Sequence, residues 1–194
     1  MVATDYTDTM YVTCIGIGKD SDLDYIVKKC KQYNIPYGVY WYCKFPKDVK
    51  TAAAKEAHTR KEAQAFYKYA APHNPLFWCV DAEEESLTDA SLCAFIDELR
   101  KLIGVEGKIG LYYFQSWFAR YPKARKLCNF DWLSRFGENK DTYNPKFKPS
   151  YPCAIHQYTS NGKANPLGFK GKALLDKNRL TGSIKYGWFT NQRV

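Results

Sequence analysis

Residues 75–85 read Pro-Leu-Phe-Trp-Cys-Val-Asp-Ala-Glu-Glu-Glu. Residues 76–81 (LFWCVD) are a continuous apolar run that ends on an acid, and a strand buried on both faces needs such a run. Buried strands belong to parallel sheets covered by helices, and the flanking sequence alternates accordingly. Upstream, 11–17 (YVTCIGI) reads as a strand, with Gly18-Lys19-Asp20-Ser21 as turn and helix cap. A helix over 23–33 follows, with Leu23, Ile26, Val27 and Cys30 at i, i+3, i+4 and i+7. Asn34-Ile35-Pro36 stops it, and 38–42 (GVYWY) is the next strand. The alanine-rich stretch 51–71 is a helix ended by Pro72-His73-Asn74-Pro75.

Downstream of the acids, Thr88-Asp89-Ala90-Ser91 opens a helix to Ile103, with Leu92, Phe95, Ile96 and Leu99 on one face. Gly104 closes it, and 108–113 (KIGLYY) is a strand. Shorter strand candidates follow at 130–136, 154–158 and 173–176, where loops rich in Gly, Pro, Asn and Lys replace helices. Seven strand candidates alternating with helices predict an α/β fold with right-handed crossovers, either doubly wound or a (β/α) barrel. In both, ligands bind at the C-terminal ends of the strands.

Composition narrows the class. The chain has 194 residues, 45% apolar and 25% charged, which excludes disordered and collagen-like chains. One domain, 1–194, is expected, without a linker or a separate wall-binding module. No apolar run approaches the ~18 residues of a membrane span. Residues 1–10 show no secretory signal pattern, so synthesis in a cytoplasm is expected. The net charge of +9 is uneven: residues 1–97 hold 11 Lys/Arg against 14 Asp/Glu, and residues 98–194 hold 18 against 6. A basic half suits a polyanionic partner, nucleic acid or an anionic wall, or it is simply a solvated surface. Seven cysteines, without a C-x-x-C pair, read as buried reduced thiols rather than a zinc cluster or disulfide scaffold. Dinucleotide, P-loop, nucleophile-elbow and H-E-x-x-H motifs are absent.

Chemistry concentrates where the run 76–81 meets Glu83, Glu84 and Glu85. Side chains two apart on extended backbone share a face, roughly 7 Å apart, so Asp81 and Glu83 point the same way. In a low-dielectric cleft, repulsion and desolvation keep one of the two protonated while the other is ionised. Acid-catalysed cleavage of an acetal needs that division of labour. The competing reading is a solvated acidic start to the next helix, favoured by its dipole. It accounts for Glu84 and Glu85 better than for an acid ending an apolar strand. Other strand ends carry Tyr40 and Tyr42, Tyr112 and Tyr113, Trp132, and Gln157 with Tyr158; aromatic faces and amides suit sugar rings. Asp176 offers a third carboxylate.

With these landmarks in order, residues 11–178 resemble the glycoside hydrolase family 25 lysozymes, the Chalaropsis-type muramidases common among phage endolysins and bacterial autolysins. The resemblance rests on IPYGVYWY (35–42), PLFWCVDAEEE (75–85), KIGLYY (108–113), FDWLSRFG (130–137), AIHQYTSNG (154–162) and LLDKNR (174–179). It implies a TIM-like barrel and hydrolysis of the β-1,4 bond between N-acetylmuramic acid and N-acetylglucosamine in peptidoglycan, without metal or cofactor. The family's D-x-E pair falls on Asp81 and Glu83. Glu83 would be the proton donor, and Asp81 would stabilise the transition state or an acetamido-derived intermediate. Asp176 falls on the acid of the family's last strand. Tyr40, Tyr42, Tyr112, Trp132 and Gln157 fall at strand ends that line the sugar groove.

One feature departs from the family. Its members open with a strand carrying an aspartate in a G-x-D-x-S pattern, followed by a helix, whereas residues 1–10 here hold only VATDYTD, with Asp5 as the available stand-in. A barrel short or irregular at its first strand is expected, against ~250 residues for a complete (β/α)₈ barrel. An open edge there would invite a homodimer. The departure motivates the alternative of a catalytically impaired homologue that binds cell walls. A nucleic-acid binder ranks third, since no groove-reading motif supports it. Without a signal peptide, release of a phage lysin through a holin is the expected route to the wall.

Overall fold

The computed structural model describes residues 23–163 and 174–191, together with the backbone of 2–3 and 10–14. The strands are β1 (Val2–Ala3), β2 (Met10–Cys14), β3 (Tyr37–Tyr42), β4 (Trp78–Asp81), β5 (Ile109–Phe114), β6 (Phe130–Ser134), β7 (Ile155–Lys163) and β8 (Leu174–Leu180). The helices are α1 (Leu23–Gln32), α2 (Ala52–Ala70), α3 (Asp89–Ile103), α4 (Pro122–Leu127) and α5 (Tyr186–Thr190).

Local chemistry sets the boundaries. Thr51 caps α2, its hydroxyl accepting from the Ala54 N–H at 3.2 Å. Thr88 and Ser91 form a reciprocal capping box on α3, and Gly104 at φ 81° ends it. Both helices pack on the outside of the sheet, where Phe66, Phe95 and Leu99 meet Trp78 and Val80.

Strands β2 to β7 are successive parallel neighbours, forming a curled six-stranded sheet. The α/β class, the irregular start and the scarcity of helices in the second half are as the sequence leads one to expect. The direction of the last strand is not. β8 runs antiparallel to β7, and β1 pairs antiparallel to β2 and parallel to β8. Only residues 164–173 separate β7 from β8, and only 4–9 separate β1 from β2. Parallel return needs a crossover of a dozen residues or more, so both connections reverse the chain. β1 thereby pairs with both β2 and β8. Cys30, Cys43, Cys79, Cys93, Cys128 and Cys153 are all free thiols, four of them buried. Residues 15–17 of the first predicted strand, and Asp5, lie outside the described residues.

Alternation with period two divides the strand side chains between two cores. On β4 and the residue before it, Trp78 and Val80 face the helices, whereas Phe77 and Cys79 face the interior of the curl. Tyr42, Asp81, Tyr112, Trp132 and Ile155 are successive register partners across β3 to β7, all turned inward. Below that row Phe77 and Phe130 fill the interior. A Cβ on Gly38 or Gly110 would stand 2.2 Å from one of those rings, so glycine is required at both positions. The floor is closed by α5, which the sequence pattern did not reveal. Its fully buried Phe189 packs edge-on against Phe77 at 5.4 Å and Phe130 at 5.1 Å. A plugged floor and polar upper positions leave one open end, at the C-terminal ends of β3 to β7.

The plug is testable. Phe189→Ala is expected to lower unfolding free energy by about 3–5 kcal/mol, the usual cost of deleting a buried aromatic ring. Urea denaturation followed by tryptophan fluorescence would measure it.

Candidate active site

Asp81 is the last residue of β4 and continues the inward set after Phe77 and Cys79. It is 5% exposed, and its Oδ1 has no hydrogen-bond partner. The strand geometry persists one residue further, because the Ala82 N–H donates to the Tyr112 carbonyl at 2.8 Å. Glu83, half-buried, therefore leaves the sheet at the mouth beside Asp81. The reversal of β8 supplies the third acid. Gln157 pairs with Asn178, so Asp176, two residues earlier on a strand running the other way, comes to the same end on the same face.

The three carboxyls act on one another. Burial pushes Asp81 well above the ordinary carboxylate range, and the charges of Glu83 and Asp176 push it further. Burial also raises Glu83, with Asp176 and Glu84 adding to the rise and the nearby Tyr112 hydroxyl offsetting part of it. Asp176 is raised by burial as well. Among the described residues no Lys or Arg pairs with any of the three. Such a cluster holds protons into a pH range where ordinary carboxylates are ionised.

Aromatic and amide groups surround the acids. Tyr42 donates to Glu84 Oε1 at 2.6 Å, and burial together with the nearby acids raises its hydroxyl pKa. Tyr112 donates to Gln157 Oε1 at 2.5 Å and meets the Trp132 ring edge-on at 5.6 Å. Trp132 is fully buried, its indole N–H donating to Asn178 Oδ1 at 2.8 Å. The structure thus brings Asp81, Glu83, Asp176, Tyr42, Tyr112 and Gln157 together. Trp132 lies in register with Tyr112 but is fully buried behind it, and Tyr40 is half-buried against the interior core.

Two polar residues here escaped the sequence reading. Ser134 ends β6 two residues after Trp132, and Asn178 follows Asp176 by two; each keeps a buried polar atom without a partner, Ser134 Oγ and Asn178 Nδ2. Counting two residues on from Trp132 and from Asp176, as from Asp81 to Glu83, would have found both. Among the described residues no cluster of three or more His, Cys, Asp or Glu is arranged to hold a metal ion. Nor, among them, is any helix long and apolar enough to cross a membrane.

Buried carboxyls at the open end of a curled α/β sheet are the equipment of a glycoside hydrolase. The family model for glycosyl hydrolases family 25 matches residues 16–167, and the chain belongs to that family. No curated protein matches the chain. Solved structures with this fold include a virulence factor of Streptococcus pneumoniae described as a glycosyl hydrolase 25, 22% identical, covering 90% of this chain and 72% of its own, with a TM-score of 0.73. The catalytic domain of an endolysin from a Listeria monocytogenes bacteriophage is 22% identical over 93% of this chain and 86% of its own, TM-score 0.65. A family 25 lysozyme from Aspergillus fumigatus is 15% identical over 90% of this chain and 81% of its own, TM-score 0.55.

The raised acid has a consequence for stability. A carboxyl whose folded pKa lies above its unfolded value stabilises the fold below the unfolded pKa, ~3.9 for Asp, and loses that contribution as pH rises through the folded value. Asp81→Asn removes the cost of ionising the buried group. Its thermal midpoint is expected to exceed that of the parent at pH 7, with the difference shrinking toward pH 3, as calorimetry at the two pH values would show.

Proposed function

We propose that the protein is a peptidoglycan hydrolase of the muramidase type, cleaving the β-1,4 bond between N-acetylmuramic acid and N-acetylglucosamine. The observation that carries the reading is the group of buried carboxyls Asp81, Glu83 and Asp176, all raised, at the open end of a plugged barrel. Family membership supports it, and so do an endolysin and a lysozyme among the structures that share the fold. The finer description as a TIM-like barrel belongs to the same reading, with β1 and β8 standing where further parallel units would complete the ring.

Glu83 acts as general acid. It is the more accessible of the adjacent pair, and its raised pKa keeps it protonated. Its proton passes to the glycosidic oxygen as the bond to the anomeric carbon breaks, and positive charge develops on the sugar ring. Asp81 lies beneath and acts as the carboxylate, the form that burial and its acidic neighbours disfavour in the empty site. A buried carboxylate without a hydrogen bond on Oδ1 is poorly stabilised in the empty site and gains a partner as the cation, or the proton of the substrate's acetamido group, appears. Stabilisation that grows toward the transition state is what accelerates the step. Water then adds to the anomeric carbon, and its proton returns to the carboxylate of Glu83. Asp176 helps by repulsion, holding a proton within the group. Tyr42 and Gln157 offer polar contacts at the rim; Tyr112 and Trp132, with Tyr40 beside them, form the floor under the sugar. The wall is the site of action, reached through a holin.

Glu83→Gln is expected to retain the fold and lose 10²–10⁴-fold in rate, the range for removing a general acid. Mass spectrometry of muropeptides after digestion would show it. Sedimentation of the parent protein with walls, without new reducing ends, would instead favour a binding protein. Because the acid works protonated, the parent's rate is expected to fall as pH rises through the Glu83 pKa, above the ~4.3 of an ordinary glutamate. A rate that keeps rising through neutral pH would exclude Glu83 from that role.

A further inference from the structure

The outer face of the β7–β8 pair presents a second constellation. Ile155 and Gln157 face the interior, so His156 between them faces out, and its register partner Arg179 lies beside it on β8. The outer face of a parallel sheet is normally covered by a crossover helix. β7 and β8 form an antiparallel pair, and the irregular segment 143–153 lies over them instead. Between segment and strands is a cavity of about 250 Å³, on the opposite side of the sheet from Asp81.

Its lining is basic and aromatic, without a carboxylate. The Arg179 guanidinium stacks over the Tyr143 ring at 4.1 Å, and Lys148 stands exposed at the edge. Tyr151 stacks one face on Phe118, with centroids 3.8 Å apart, and remains 44% exposed. His156 is 1% exposed, and its Nε2 lies 2.9 Å from the Arg135 carbonyl. A carbonyl only accepts, so Nε2 carries the ring proton and Nδ1 is a bare acceptor. Nδ1 has no partner. Burial opposes protonation of the ring, and the charges of Arg179 and Arg135 oppose it too, so the ring stays neutral.

A fully ionised anion brings charge for Arg179 and Lys148 but no donor for Nδ1, and hydrogen phosphate brings a hydroxyl but no ring face for the exposed side of Tyr151. A neutral sugar brings donors and a ring face but no charge. We propose that this cavity is a second saccharide site, distinct from the barrel mouth, for a sugar unit carrying a phosphate or carboxylate. The anionic group lies between Lys148 and Arg179, a sugar hydroxyl donates to His156, and the ring rests on Tyr151. The site also gives the basic second half of the chain a specific use. The proposal rests on the peptidoglycan reading only for the place where the enzyme meets such a unit, the wall.

Titration of the full chain with glucose 6-phosphate and with glucuronate, followed by NMR of the histidine ring signals, tests it. Both ligands are expected to bind in competition and to shift the His156 signals, and inorganic phosphate and glucose each to bind at least tenfold more weakly. Lys148→Gln and Arg179→Gln are each expected to weaken binding at least fivefold. Lys148 is exposed, so its variant keeps the test decisive even where loss of the Arg179–Tyr143 stack unfolds the chain. Glu83→Gln, without hydrolysis, is expected to bind both ligands like the parent, so this site and the catalytic reading fail separately. Phosphate binding as tight as glucose 6-phosphate, no binding of either anionic sugar, or binding unchanged in both variants would each overturn the proposal. A ligand preference for one anionic sugar identifies the charged group and sustains the site.

Discussion

A carboxyl that must face the inside of a sheet is the constraint on which the rest of this structure depends. Asp81 follows Phe77 and Cys79 in strict alternation, so it cannot turn outward without carrying two apolar side chains with it. Trp78 and Val80 hold the other face against α2 and α3. The acid is thus pinned by packing on both sides of its strand, and its burial is enforced by hydrophobic contacts rather than by a partner of opposite charge. That is why its pKa rises instead of falling. An arginine beside it would have made a stable ion pair and an inert site.

The same constraint explains the plug and the reversed strand. A polar pocket open at both ends would let water solvate Asp81 from below. Phe77, Phe130 and Phe189 close that end, and Gly38 and Gly110 give up their side chains to make room. Six parallel strands curl without supplying an acid opposite Asp81. β8 supplies it because it is reversed: Asp176, near the start of that strand, reaches the end of the barrel where the parallel strands finish. A parallel last strand would have carried the corresponding early position to the plugged floor.

Much of this was legible in the sequence, and the illegible parts have physical causes. Buried strands such as 76–81 and the one-faced helix 89–103 announce themselves through apolar periodicity, and the D-x-E spacing marks the mouth. A continuous apolar run such as 76–81 marks a parallel strand, but β7 and β8 show no such run, and only the length of the connection after Lys163 held the information on their direction. α5 spans a turn and a half, too short for a helical repeat to emerge, and α4 is scarcely longer. Ser134 and Asn178 were hidden for another reason. Serine and asparagine look ordinary beside tryptophan and aspartate, and their importance comes from being buried, which depends on neighbours distant in sequence.

Charge is distributed by the same logic. The acids lie inside the sheet, whereas Lys148, Arg179 and Arg135 lie on its outer face or in the segment that covers it, where β7 and β8 carry no crossover helix. Cations on the far side of the sheet are held away from the acids by the sheet itself, so among the described residues none forms an ion pair with Asp81, Glu83 or Asp176. Had Arg179 pointed inward beside Asp176, it would have paired with that acid and lowered its pKa. Period-two alternation on β8, Asp176 and Asn178 inward and Lys177 and Arg179 outward, therefore separates the acidic side of the strand from its basic side.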